Sequence, residues 1–163
     1  MRKSGSPARG LWRGALLAAA LLIPGSRGEA ASSCYLVGVT GISFGAYDPL
    51  ESRGVTQVGT LTIRCSQTGT ASAPPVSVEL SAGNSGSFGT RHLRKGNHAL
   101  RYNLYLDAAS TQVWGNGAGG SARFTLLPSG NGDIPLTIYG RILPGQNAES
   151  GPYTDTISVT LNF

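Results

Sequence analysis

Residues 153–163 read Tyr153-Thr154-Asp155-Thr156-Ile157-Ser158-Val159-Thr160-Leu161-Asn162-Phe163. In an extended chain Ile157, Val159, Leu161 and Phe163 fall on one side, and Thr156, Ser158, Thr160 and Asn162 on the other. A period of two, rich in β-branched residues and opened by the turn signal Gly151-Pro152, predicts a half-buried strand. No turn or polar tail follows Phe163. A strand this apolar is expected to lie inside a sheet. If one of its edges is free, that edge is a template for another chain's strand.

The opposite end has a different character. Residues 1–13 carry Arg2, Lys3, Arg9 and Arg13 and no acid; an apolar run over 15–23 follows, then Pro24-Gly25 and small residues. These are the three parts of a secretory signal peptide. Its apolar run is well below the roughly 20 residues that span a bilayer, so no membrane span is expected once it is removed. Cleavage is expected after Ala30, leaving one domain over 31–163.

Removal of the signal changes the charge. Five of the thirteen Lys and Arg and one of the eight acids leave with it, so residues 31–163 keep eight basic and seven acidic side chains. The basic balance of the full chain is a targeting feature, and a nucleic-acid partner is excluded on that ground. The remainder is rich in Gly, Ser and Thr and has two cysteines, Cys34 and Cys65. In an exported chain an even pair points to a disulfide; two buried free thiols are the other reading.

Between the ends, alternation predicts strands over 35–39 and 42–44, over 58–65 with Leu61, Ile63 and Cys65 inward, and over 76–80. Further strands are expected over 100–106, with Leu100, Tyr102, Leu104 and Leu106 inward, and over 111–114, 124–127 and 134–138. Residues 50–57, 66–75 and 81–97 read as polar loops, the last with no periodicity. No sustained helical period appears after the signal, and the glycine content opposes one. Short strands separated by turn signals predict an all-β antiparallel sandwich.

Candidate chemistry is sparse. Gly115-Asn116-Gly117-Ala118-Gly119-Gly120 fits G-x-G-x-x-G, but that pattern binds a dinucleotide only between a strand and a helix, and here a strand follows. No serine sits in a G-x-S-x-G elbow, the acids are scattered, and two Cys with two distant His have no metal-ligand spacing. No catalytic residue, cofactor or metal is therefore assigned, and a hydrolase built from distant residues is the weakest reading. Arg91, His92, Arg94, Lys95 and Arg101 form a basic cluster that could meet an acidic glycan or anionic surface. Trp114 could stack on a sugar or pack in the core. Arg91, Arg94, Lys95 and Trp114 are the surface-contact candidates.

Several pieces in order resemble the spore coat protein U domain family, secreted proteins that include subunits of archaic chaperone–usher pili. They include Cys34, Phe44-Gly45 with Tyr47-Asp48-Pro49, Cys65, and Leu80-Ser81 with Gly83. They continue with Leu100, Tyr102-Asn103-Leu104-Tyr105 and Asp107, then Trp114-Gly115, Tyr139-Gly140-Arg141-Ile142 and Pro144-Gly145-Gln146. Tyr153, Asp155-Thr156 and the closing Val159-Thr160-Leu161-Asn162-Phe163 complete the set.

The resemblance implies an incomplete immunoglobulin-like sandwich lacking its final strand. A periplasmic chaperone would lend that strand beside the C-terminal one; at an outer-membrane usher a neighbouring pilus subunit would replace it. Thr154, Thr156, Ile157, Val159, Leu161 and Phe163 would form the accepting edge. Only Ala31-Ser32-Ser33 precede Cys34 in the expected mature chain, so a subunit that accepts a strand without donating one is expected. The implied function is a structural, non-enzymatic subunit of a surface pilus or coat, linked to adhesion or biofilm. The alternative is a secreted glycan- or surface-binding module outside any fibre.

Overall fold

The computed structural model describes residues 31–68 and 74–163. The expected signal peptide, residues 1–30, lies outside them. Eight strands appear in chain order: β1 Ala31–Thr40, β2 Val55–Thr68, β3 Val76–Leu80, β4 Arg91–Lys95, β5 His98–Tyr105, β6 Phe124–Leu126, β7 Gly132–Ile142 and β8 Val159–Asn162. They form two antiparallel sheets, one in the order β1-β2-β7-β5-β4 and one in the order β6-β3-β8. One 3-10 turn, Gly83–Ser85, joins the secondary structure.

Alternation explains the core. Leu61 and Ile63 of β2, Leu136, Ile138 and Ile142 of β7 and Leu100, Tyr102 and Leu104 of β5 are buried from the larger sheet. Val76, Val78 and Leu80 of β3 meet them from the smaller one. Each such side chain removed from water contributes about 1.5–3 kcal/mol. Cys34 and Cys65 are bonded as a disulfide and stand directly opposite each other in the β1–β2 ladder.

Departures from the expected elements have local causes. Residues 81–97 hide β4, whose sequence RHLRK shows no apolar alternation because its inward positions are Arg91, Leu93 and Lys95. β2 starts at Val55, inside the expected polar loop, where it pairs with the end of β7. Residues 42–44 join no ladder, and 111–114 contribute only isolated bridges through Val113 and Trp114. Gln146 replaces a strand residue beside β5: its side chain accepts from Arg101 N at 2.7 Å and donates to the Arg101 and Leu143 carbonyls at 2.8 and 2.9 Å. Buried amide groups of this kind are retained because each backbone group then has a partner.

Candidate strand-accepting groove

β8 pairs with β3 on one side, Val159 opposite Leu80 and Leu161 opposite Val78. Among the described residues no strand lies on its other side. The line continues upstream without a ladder. Thr154 and Arg94 exchange both backbone hydrogen bonds (2.7 and 3.0 Å), tying this segment to the edge of β4. Ser81 N donates to Ser158 O at 2.9 Å, and Ser158 N donates to Ser81 Oγ at 2.9 Å. The segment thus crosses from the larger sheet to the smaller one. Tyr153, Asp155, Ile157, Val159 and Leu161 turn inward and are half-buried, whereas Thr154, Thr156, Ser158, Thr160 and Asn162 are exposed. Phe163, expected inward, is exposed; its register lies one residue beyond the β3–β8 pairing, so no neighbour covers it.

The facing wall is β1 and the segment after it. Leu36 stands opposite Ile63 and Val39 opposite Leu61, so both point towards the core side of the larger sheet. A register shift between Leu36 and Gly38 makes this geometry: two residues three apart share a face only when one extra residue is inserted. Yet Leu36 is 40% and Val39 54% exposed, because the three-stranded sheet does not reach over them. Beyond them Ile42 and Phe44 are half-buried against the core. Phe44 meets Tyr102 edge-on at 5.8 Å. It also lies over Gly140, where a Cβ would come within 2.8 Å of its ring.

Between the two walls runs a groove floored by Leu80, Leu93, Tyr102, Leu104 and Ile138, with a volume of about 250 Å³. It opens past Phe44 and Asp155 into a wider cleft of about 710 Å³, lined by Tyr47, Pro49, Ala148 and Tyr153 among others. Asp155 lines both. Its carboxylate accepts from Tyr102 Oη at 2.7 Å and from the Asn84 and Thr156 amides at 2.8 Å. Burial, and then the bond to Asp155, push the Tyr102 phenol well above its ordinary range. The wall therefore has a fixed polar point within an otherwise apolar run.

The surface-contact candidates separate. Arg91 is fully buried (0% exposed) and Trp114 nearly so (1%), and neither can touch an external ligand. Arg91 donates to Ser81 O (3.0 and 2.7 Å), Asn103 Oδ1 (2.6 Å) and Trp114 O (2.7 Å), and lies 5.5 Å from the Phe88 ring centre. Desolvation lowers its pKa from the ordinary arginine value. The sequence reading missed this because a cation at an inward strand position needs several acceptors from distant elements, which only the fold supplies. The Trp114 indole donates to Val78 O at 2.9 Å from within the core. Lys95 is occupied by Ser150 O and Glu149. Arg94 alone of the four is exposed. Asn116-Gly117 and the glycines after it form turns that lead to a bridge at Ala122, not to a helix.

The open edge and uncovered inner face define an incomplete immunoglobulin-like antiparallel sandwich, a domain one strand short of closure on that side. The Spore Coat Protein U domain model matches residues 26–160, and this chain belongs to that family. Protein U of Myxococcus xanthus is 32% identical over 130 residues, covering 75% of this chain and 71% of that protein. The fold is also that of a chain in the crystal structure of the CsuC–CsuE chaperone–tip adhesion subunit pre-assembly complex from archaic chaperone–usher Csu pili of Acinetobacter baumannii. That match has a TM-score of 0.55 and 22% identity over 82% of this chain. This chain spans only 40% of the length of that one.

Proposed function

We propose that this chain is an exported structural subunit of a chaperone–usher type surface pilus or coat assembly, joined to its neighbours by donor-strand complementation. Its role is in adhesion or biofilm formation, and it works by strand binding, not catalysis. The observation that carries this reading is a β8 edge with no strand beside it among the described residues, with core-facing Val39 left open across the groove and core-facing Leu36 uncovered further along β1. Family membership and the shared fold support it.

In this reading residues 1–30 direct export, and a periplasmic chaperone lays a strand along β8 between the two walls. The free N–H and C=O groups of β8 supply main-chain hydrogen bonds, and alternate side chains of the guest enter the groove to set register. At an outer-membrane usher a neighbouring subunit's strand takes the same place. β1 is tied into its sheet by its ladder with β2 and by the disulfide, so it is not the strand that is lent.

The test is periplasmic production with and without a co-produced periplasmic chaperone of the chaperone–usher type. The expected outcome is a soluble one-to-one complex with the chaperone and a lower periplasmic yield of the lone chain, which can still be refolded in dilute solution. Hydrogen exchange adds resolution: amides of 155–163 that exchange freely in the lone chain should become protected in the complex. A lone chain that is stable, monomeric and already protected along both edges of β8 would end the proposal.

A further inference from the structure

We propose that the outer face of the five-stranded sheet is a second binding surface, for an anionic polysaccharide, built from Arg94, Arg101 and Arg141 beside the Tyr105–Tyr139 pair. This surface is separate from the groove, and the inference does not depend on strand acceptance.

Strand register assembles it. In β4 and β5, Arg91 opposes Tyr102 and Leu93 opposes Leu100 on the inner face, so His92 and Arg101, which oppose each other, stand on the outer one with Arg94. In β7, Gly140 and Ile142 are inner and buried, which places Tyr139 and Arg141 outside. Tyr139 stands opposite Tyr105 on one side and Val58 on the other. Directly opposed side chains on such a face are about 5 Å apart and diagonal ones about 7–8 Å, so the three guanidinium groups and the tyrosine pair form one neighbourhood.

Among the described residues these cations have no acidic partner within ion-pair distance. Among the described residues, the ion pairs join Arg64 to Asp133, Lys95 and His98 to Glu149, and Arg123 to Glu79. None involves Arg94, Arg101 or Arg141, and the Arg101 guanidinium bonds only the neutral Gln146 amide at 3.3 Å. Three unneutralised planar forks on one flat face suit carboxylate or sulfate groups.

Two further observations favour a sugar polymer over other polyanions. The Tyr105–Tyr139–Val58 row offers a flat, half-apolar strip against which a sugar ring can lie. Next to it, Thr60 and Thr137 oppose each other with Thr40 alongside, a row of hydroxyls able to pair with sugar hydroxyls. The region as a whole is close to charge balance, with eight basic and seven acidic residues in 31–163, unlike a strong nucleic-acid binder.

The test measures binding of the secreted chain, in whatever complex keeps it soluble, to alginate, heparin, neutral dextran, single-stranded DNA and anionic lipid vesicles. At about 50 mM salt, where exposed charges are less screened than at physiological ionic strength, alginate and heparin should bind and dextran should not. Arg101→Gln with Arg141→Gln should weaken binding by roughly tenfold or more, as loss of charge-assisted bonds implies. Tyr139→Ser should weaken it by a smaller factor, and Arg123→Gln, which precedes β6 and pairs with Glu79 of the smaller sheet, should change nothing. If the double variant is poorly folded, Arg94→Gln alone decides, because its side chain supports no bond within the described residues. The proposal is overturned if the wild-type chain binds neither acidic polysaccharide, or if the arginine variants bind as well as wild type. It is equally overturned if DNA or vesicles bind as tightly while Tyr139→Ser has no effect, since that is a generic cationic surface.

Discussion

Val39 and Val58 are exposed almost equally, 54% and 56%, on opposite faces of the same sheet. Val39 faces the groove, opposite buried Leu61; Val58 faces outward, opposite Tyr139. If a guest strand fills the groove, only Val39 gains burial. Fully burying a valine is worth about 2 kcal/mol, so covering its exposed half contributes about 1 kcal/mol. Val39→Ser should therefore weaken chaperone binding roughly fivefold, and Leu36→Ser with Val39→Ser roughly thirtyfold. Val58→Ser should leave affinity unchanged. Titration calorimetry of the refolded variants with the chaperone reads this directly, with urea melts of each variant alone to separate folding from binding. Equal losses for Val39→Ser and Val58→Ser, or no loss for either, would refute the assignment of this face to a guest strand.

Three further outcomes follow from the geometry. Removing the disulfide with Cys34→Ser and Cys65→Ser should cost about 3–4 kcal/mol in the chain-entropy estimate for its sequence separation of 31, read as a lower urea midpoint in non-reducing buffer. Arg91→Met should cost at least about 3 kcal/mol, because Ser81 O, Trp114 O and Asn103 Oδ1 all lose a buried donor; an unchanged midpoint would mean that these acceptors find other partners. Tyr102 has a raised folded pKa, so its contribution is complete below the unfolded value of about 10 and is lost as pH climbs from there through the folded value. Tyr102→Phe should be less stable than wild type at pH 8 through the lost bond to Asp155, and the difference should shrink by pH 11.

Much of the fold was legible because burial acts through a period of two. Residues 58–65, 76–80, 100–106 and 134–138 alternate since each covers a core with one face only, and the buried residues of β2, β3, β5 and β7 match that reading. β4 was illegible for the complementary reason: its inward Arg91 is satisfied by the carbonyls of Ser81 and Trp114, 10 and 23 positions away and outside its own strand, and no pattern within β4 encodes them. The same applies to Trp114, which packs in the core from an irregular segment held only by bridges.

Sequence by itself determined that residues 153–163 form an apolar-faced extended segment, that Cys34 and Cys65 are suited to a bond, and which family the chain resembles. Those properties are local or compositional. Only the tertiary structure decided which edge stays open, since an unpaired strand differs from a paired one in its neighbours and not in its own residues. Only it showed that the shift in β1 turns Leu36 and Val39 to one face, and that Arg141 joins Arg94 and Arg101 from a strand some forty positions away. Register between strands distant in sequence sets such neighbours, and register is settled by the packing of the whole sandwich.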